Sequence, residues 1–160
     1  MNFPNAVKSG FRNYANFKGR ATRSEFWWFA LFSQLLQTLI QGVSASIASI
    51  ASLVLFLPNL SLHVRRLHDI GRSAKWIIWL AASIAGMVIA FVGLLMQTTQ
   101  TIANLDVGQL FDNGSQFWII VMFVFFISAL CSLVVNFVFT LIPSDKEMNK
   151  YGPPPAPTTL

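Results

Sequence analysis

At 160 residues the chain has the length of one domain, and 54% of it is hydrophobic while only 11% is charged. An average soluble domain carries about 25% charged residues, so this chain lacks the polar cover a globule needs in water, and lipid is the simple alternative. The net charge of +5 sits at the ends of long apolar runs, which suits an anionic membrane leaflet and argues against a nucleic-acid partner.

Residues 1–25 place Phe3, Val7, Phe11 and Tyr14 at helical spacing, with Lys8, Arg12, Asn13 and Asn16 on other positions. The pattern predicts an amphipathic helix over 3–17, Pro4 in its first turn, lying in the plane of the membrane interface. Thr22-Arg23-Ser24-Glu25 then reads as a capping box, Thr22 capping and Glu25 reaching back to it, so the next helix starts near Arg23. A cleaved signal peptide is not expected. The first apolar run begins only at Phe26 and far exceeds the roughly 7–15 residues of such a segment.

From position 26 to position 62 there are 37 residues without a charge. One helix of that length would measure about 55 Å against a hydrocarbon core of about 30 Å. Two helices fit, with a hairpin near 41–46, and Pro58 with Asn59 is a candidate kink in the second. Residues 63–75 follow with Arg65, Arg66, Asp69, Arg72 and Lys75. Burying them in lipid would cost on the order of 12 kcal/mol, so this segment lies outside the hydrocarbon. Further apolar runs cover 76–96 and 117–142, and Trp27, Trp28, Trp76, Trp79 and Trp118 mark the ends of runs. Five Lys and Arg fall in 1–25, four in 63–75, none in 97–116, which carries Asp106 and Asp112, and two in the tail, Lys146 and Lys150. With four spans all the basic residues share the cytoplasmic side; with three they would not. The expected fold is all-α, a four-helix transmembrane bundle with an N-terminal amphipathic interfacial helix. Its parts are a cytoplasmic interfacial segment (1–25), a membrane domain (26–142) and a cytoplasmic tail (143–160) extended by Pro153-Pro154-Pro155-Ala156-Pro157.

Within the spans there is no Asp, Glu, Lys, Arg or His, which argues against a proton-coupled pump. Gln34, Gln37, Gln41 and Asn136 read as bonds between helices. The small residues Ala82, Gly86, Ala90 and Gly93, and likewise Ala45, Ala48, Ser49 and Ser52, read as faces of close helix approach. Cys131, the one cysteine, reads as a small buried hydrophobe. Asn113-Gly114-Ser115 is a formal glycosylation sequon with no assigned role. His63 and His68 are five apart and lack a third ligand, so no metal is expected, and no cofactor-binding loop or catalytic arrangement is present.

The densest polar string is His63-Val64-Arg65-Arg66-Leu67-His68-Asp69-Ile70-Gly71-Arg72-Ser73. Arg65 and Asp69 have i,i+4 spacing for an ion pair, and Gly71 is a helix stop. The hairpin brings Arg20 and Arg23 near Arg65, Arg66 and Arg72, five guanidinium groups against Glu25 and Asp69. Either these side chains splay into water or an anion joins them, and anionic phospholipid headgroups are the abundant anion at that depth. In that arrangement Asp69 orients Arg65 while Arg66 and Arg72 face the headgroup. The plainer reading is a topology signal with a local salt bridge. The leading expectation is a non-enzymatic module binding anionic lipid, a membrane-protein partner or a second copy in a homo-oligomer. The alternatives are a small oligomeric transporter or channel, and an enzyme acting on a lipid phosphate through His63, His68 and Asp69.

Three strings carry a resemblance: Phe17-Lys18-Gly19-Arg20-Ala21-Thr22-Arg23-Ser24-Glu25-Phe26-Trp27-Trp28, then Leu57-Pro58 with Val64 through Ser73, then Asn149-Lys150-Tyr151-Gly152-Pro153. In this order they resemble the bacterial inner-membrane family known as domain of unknown function 805. Ala74 and Lys75 depart from its usual Gly and Trp, and 97–116 is longer than usual. The resemblance implies a small bacterial plasma-membrane protein and implies no activity.

Overall fold

The computed structural model describes residues 1–103 and 113–155. Within them lie five helices: α1 (Phe3–Arg12), α2 (Arg23–Val43), α3 (Ala45–Asp69), α4 (Lys75–Ala103) and α5 (Asn113–Leu141). The all-α expectation therefore holds for the described residues. Asp106 and Asp112 of the expected outer loop fall outside them, as do the last tail residues from Ala156.

α1 is shorter than the predicted 3–17. Asn2 caps its start, accepting from the Asn5 N–H at 3.2 Å. Asn13 ends it, its N–H reaching Phe11 O and Ser9 O. Asn16 then donates to Asn13 Oδ1 at 3.1 Å and accepts from the Lys18 N–H, so asparagine side chains take over the backbone partners a longer helix would use. Its apolar face packs on α2: Phe3 meets Trp28 and Phe32 edge-on, and Phe11 meets Phe29 and Phe32.

Thr22 caps α2 as expected, accepting from the Glu25 N–H at 3.1 Å. The other half of the box is replaced, because the Glu25 carboxylate accepts from Ser9 Oγ at 2.8 Å and from Arg65 Nη2 at 3.3 Å. The hairpin falls at Ser44, inside the predicted 41–46; its extended backbone ends α2, and its side chain accepts from Ile47 N–H to start α3. Gln37, with its amide oriented to satisfy both contacts, donates to Ala48 O and accepts from the Ser52 N–H. Pro58 sits inside α3. It has no N–H for Val54 O and its ring crowds that turn; Tyr14 OH donates to Val54 O at 2.5 Å, and Asn59 Nδ2 donates to Leu55 O at 2.7 Å and to Ser33 Oγ at 3.2 Å. Ala21, Phe29 and Leu62 form the buried core here, with Phe26 and Phe32 against it.

The chain divides into two compact bodies, Met1–Ala74 with Val138–Leu160, and Lys75–Phe137. In the second, α4 and α5 approach closely where the sequence offers glycine: a Cβ on Gly86 would lie 2.4 Å from the Phe125 ring, and one on Gly93 2.6 Å from Trp118. Ala90 is fully buried, whereas Ala82 is exposed. Ser83 and Ser128 share a hydrogen bond at 2.9 Å, Trp79 Nε1 donates to Ser128 Oγ, and Asn136 Nδ2 donates to Trp76 O and Ser132 O. The expected role of Asn136 as a bond between helices is the geometry found. Cys131 is exposed, not buried; on a helix facing lipid, an apolar thiol needs no protein cover.

Among the described residues three helices are long and apolar enough to cross a membrane, Ala45–Asp69, Lys75–Gln100 and Gly114–Leu141. α2 is not one of them; Arg23 and Glu25 at its start and its three glutamines lower its apolar content.

Candidate functional site

The candidate site is built where α2 starts and α3 ends. Gly19, at φ +82°, makes the turn that delivers Arg20, and the Ala21 N–H donates to Arg65 O at 3.1 Å. α3 stops as the sequence predicts: Gly71 has φ +71°, its N–H reaches His68 O at 3.1 Å, and Arg72 N–H reaches Leu67 O at 2.9 Å. Those two bonds cap the last carbonyls and need a left-handed residue at Gly71.

Asp69 is fully buried at the centre. Its Oδ1 accepts from Arg20 Nε at 2.9 Å, and its Oδ2 accepts from Arg66 Nη1. Arg65 pairs with Glu25 instead, at 3.3 Å. The predicted Arg65–Asp69 pair is thus corrected to Arg66–Asp69. Spacings of three and four both suit a helix, and a carboxylate on the neighbouring helix claims Arg65. All five side chains are buried; Arg66 is 0% exposed and cannot face a headgroup.

Three guanidinium groups against two carboxylates leave one positive charge. Arg20, Arg65 and Arg66 do not splay into water, since all three are buried. Backbone carbonyls meet the charge. Arg20 Nη1 donates to Glu147 O at 2.8 Å and to Gly152 O at 3.4 Å, while its Nη2 donates to Asp69 O and Asp145 O. Arg66 Nη2 donates to Ile142 O and Thr140 O. Asp145 N–H in turn donates to Asp69 O at 3.3 Å. Residues 143–155 are therefore a docked segment and not simply an extended tail. Asn149 and Gly152 bond each other's backbone across a tight turn, with Gly152 at φ +124°, and Asn149 Nδ2 donates to His68 O at 3.0 Å. The Tyr151 ring stacks flat on His68, centroids 3.7 Å apart and 9° from parallel. Fixed forks with five donors explain why arginine fills these positions: a lysine offers one point charge and could not reach a carboxylate and several carbonyls together.

Two of the five predicted arginines remain outside this knot. Arg23 is exposed; its Nη1 donates to Leu141 O at 3.1 Å, and it lines an open groove of about 470 Å³ with Thr22, Ser24, Trp27, Leu141 and Ser144. Arg72 is exposed, with its guanidinium 5.6 Å above the Phe139 ring. His63 packs edge-on against Phe26, His68 lies under Tyr151, and Asp69 is inside the knot, so these three side chains serve different partners and form no shared pocket. No group of metal-ligating side chains occurs among the described residues.

A family model described as "Protein of unknown function (DUF805)" matches residues 14–105. The chain is 32% identical over 88 residues to Inner membrane protein YhaI of Escherichia coli K12, covering 51% of this chain and 75% of that protein. It is 31% identical over 93 residues to Inner membrane protein YhaH of the same strain, covering 51% of this chain and 76% of that protein. No solved structure matches it.

Proposed function

The chain belongs to the DUF805 family, and we propose that it is a non-enzymatic module of the bacterial inner membrane that binds the headgroup of an anionic phospholipid at its basic end. In this reading α2 to α5 each cross the bilayer as a four-helix transmembrane bundle, α1 rests at the interface, and both ends and residues 63–75 face the cytoplasm. Two facts support it: the relatives named above are inner membrane proteins, and every Lys and Arg lies outside 26–62, 76–96 and 117–142.

One observation carries the headgroup reading. Exposed Arg23 lines an open groove beside hydroxyls of Thr22, Ser24 and Ser144 and the ring of Trp27. That set offers a cation and hydroxyl donors to a phosphate, and an amphipathic ring to the acyl boundary. Arg72 adds a second exposed cation. Of the five candidates, Arg23 and Arg72 make the contact, while Arg20, Arg65 and Arg66, buried with residues 143–155 docked, contribute their residual field. The test is native mass spectrometry of protein taken from its own membranes. Arg23→Ala with Arg72→Ala should lower the anionic lipid retained; an unchanged lipid complement ends the headgroup reading.

A second reading, self-association or transport, has a different observation in its favour. Two adjoining grooves on the α2–α3 hairpin are lined by Ser33, Gln34, Gln37, Gln41, Ser49 and Ser52 among others. A polar furrow on an apolar hairpin is best covered by another helix. Cysteines placed at position 41 should cross-link two copies in membranes if a second copy covers it, and stay monomeric otherwise.

A further inference from the structure

Backbone dipoles meet the knot's residual positive charge, and the segment that brings those on Arg20 is held by polar contacts. Its anchors are the carbonyls of Asp145, Glu147 and Gly152 on Arg20, Asp145 N–H on Asp69 O, the Asn149 side chain on His68 O, and one aromatic stack. Asp145, Lys146, Glu147, Met148 and Lys150 are exposed. A segment with few buried apolar contacts opens at low cost. Its charged side chains are two acids, Asp145 and Glu147, and two bases, Lys146 and Lys150. They sum to zero, so its departure leaves the knot's charge unchanged.

We propose that residues 143–155 are an exchangeable strap over an anion clamp formed by Arg20, and that a phosphate group displaces it. The carbonyls of Asp145 and Glu147 on Arg20 take places that phosphate oxygens suit, while Arg66 keeps Thr140 O and Ile142 O, which precede the strap. A carbonyl brings only a dipole; a phosphate brings the missing negative charge, and charge-assisted bonds are about twice as strong as neutral ones. The phosphate is either a lipid headgroup or free in solution. The lipid source rests on the headgroup reading above; the clamp and strap do not.

The experiment is backbone hydrogen exchange on the full chain, read at 145–152. The protein is placed in phosphatidylcholine vesicles, in phosphatidylcholine mixed with phosphatidylglycerol, and in phosphatidylcholine with inorganic phosphate. Exchange should be faster with phosphatidylglycerol, which assigns the clamp to a headgroup, or with inorganic phosphate, which assigns it to the free anion. Identical protection in all three overturns the proposal. Tyr151→Ala removes the stack on His68 and should speed exchange in phosphatidylcholine about two- to tenfold, the range an aromatic pair supports; unchanged exchange in that variant also overturns it. Arg23→Ala with Arg72→Ala, run in parallel, separates the two readings. Lipid lost in that variant, with the parent's strap closed in all three vesicles, sinks the strap and keeps the headgroup site. An opened strap with the parental lipid complement does the reverse.

Discussion

Asp69 serves two arginines with its two oxygens, and neither has another carboxylate. Asp69→Asn removes the charge while leaving both guanidinium groups buried, and taking one partner from a buried ion pair costs about 3–5 kcal/mol. Thermal unfolding in detergent should show that loss. Arg72→Ala, exposed and outside the knot, should stay within about 0.5 kcal/mol of the parent. A second residue-scale expectation concerns Gly10. A Cβ there would lie 2.2 Å from the Phe29 ring, which is fully buried and cannot retreat. Gly10→Ala should cost about 1–3 kcal/mol by overpacking, whereas Gly42→Ala meets nothing within 4 Å and should cost no stability. The identity of the knot residues was legible in the sequence, because charge is scarce and clustered at hairpin ends. Their pairing was not. Helical spacing allows Asp69 either neighbour, and only the position of Glu25 on α2 decides between Arg65 and Arg66. The carbonyl partners left no trace at all, since every residue has a backbone oxygen and the side chains at 145 and 147 point elsewhere.

At the scale of elements, α3 is tied around its proline by a residue from outside it. Tyr14, just beyond α1, donates to the carbonyl that Pro58 leaves unbonded. Tyr14→Phe should therefore cost about 0.5–1.5 kcal/mol, the usual net worth of one hydrogen bond. In a Pro58→Ala background, where the helix can recover its own bond, the same change should cost less; equal losses in both backgrounds would show the two residues to be uncoupled. The helices themselves were readable where local chemistry was unambiguous: Thr22 as cap, Ser44 within the predicted turn, Gly71 as stop. α1 was overextended by five residues because its apolar spacing continues to Tyr14, while the asparagines that end it act through side-chain bonds that periodicity does not register. The same spacing was assigned to lipid, yet Phe3 and Phe11 find aromatic partners on α2, a contact between elements that a single helix cannot announce.

For the whole molecule, the charge pattern makes one commitment about sidedness. Reporter fusions after Ser73 should read as cytoplasmic, and a fusion after Asp106 as external; an external signal at Ser73 would overturn the four-span arrangement and the headgroup site with it. The apolar runs gave four crossings on length and charge, and among the described residues three helices are long and apolar enough to cross. α2 differs because glutamines lower its apolar content, and Gln37 spends its amide on the α3 backbone. Its standing as a span depends on pairing, which hydropathy along one strand of sequence does not contain.

The knot also imposes an order on synthesis. Arg20 and Arg66 leave the ribosome early, and the carbonyls that complete their bonding belong to residues made last. Until then Arg20 and Arg66 share Asp69 and lack the carbonyls that finish the knot. Only when α5 is in place and position 152 has emerged can they be buried. In the proposed topology, the charges that steer the nascent chain are also those that close the finished one. A chain truncated before residue 145 would insert correctly and still carry an unsealed cationic end, a difference that a membrane quality-control protease could read as incompletion.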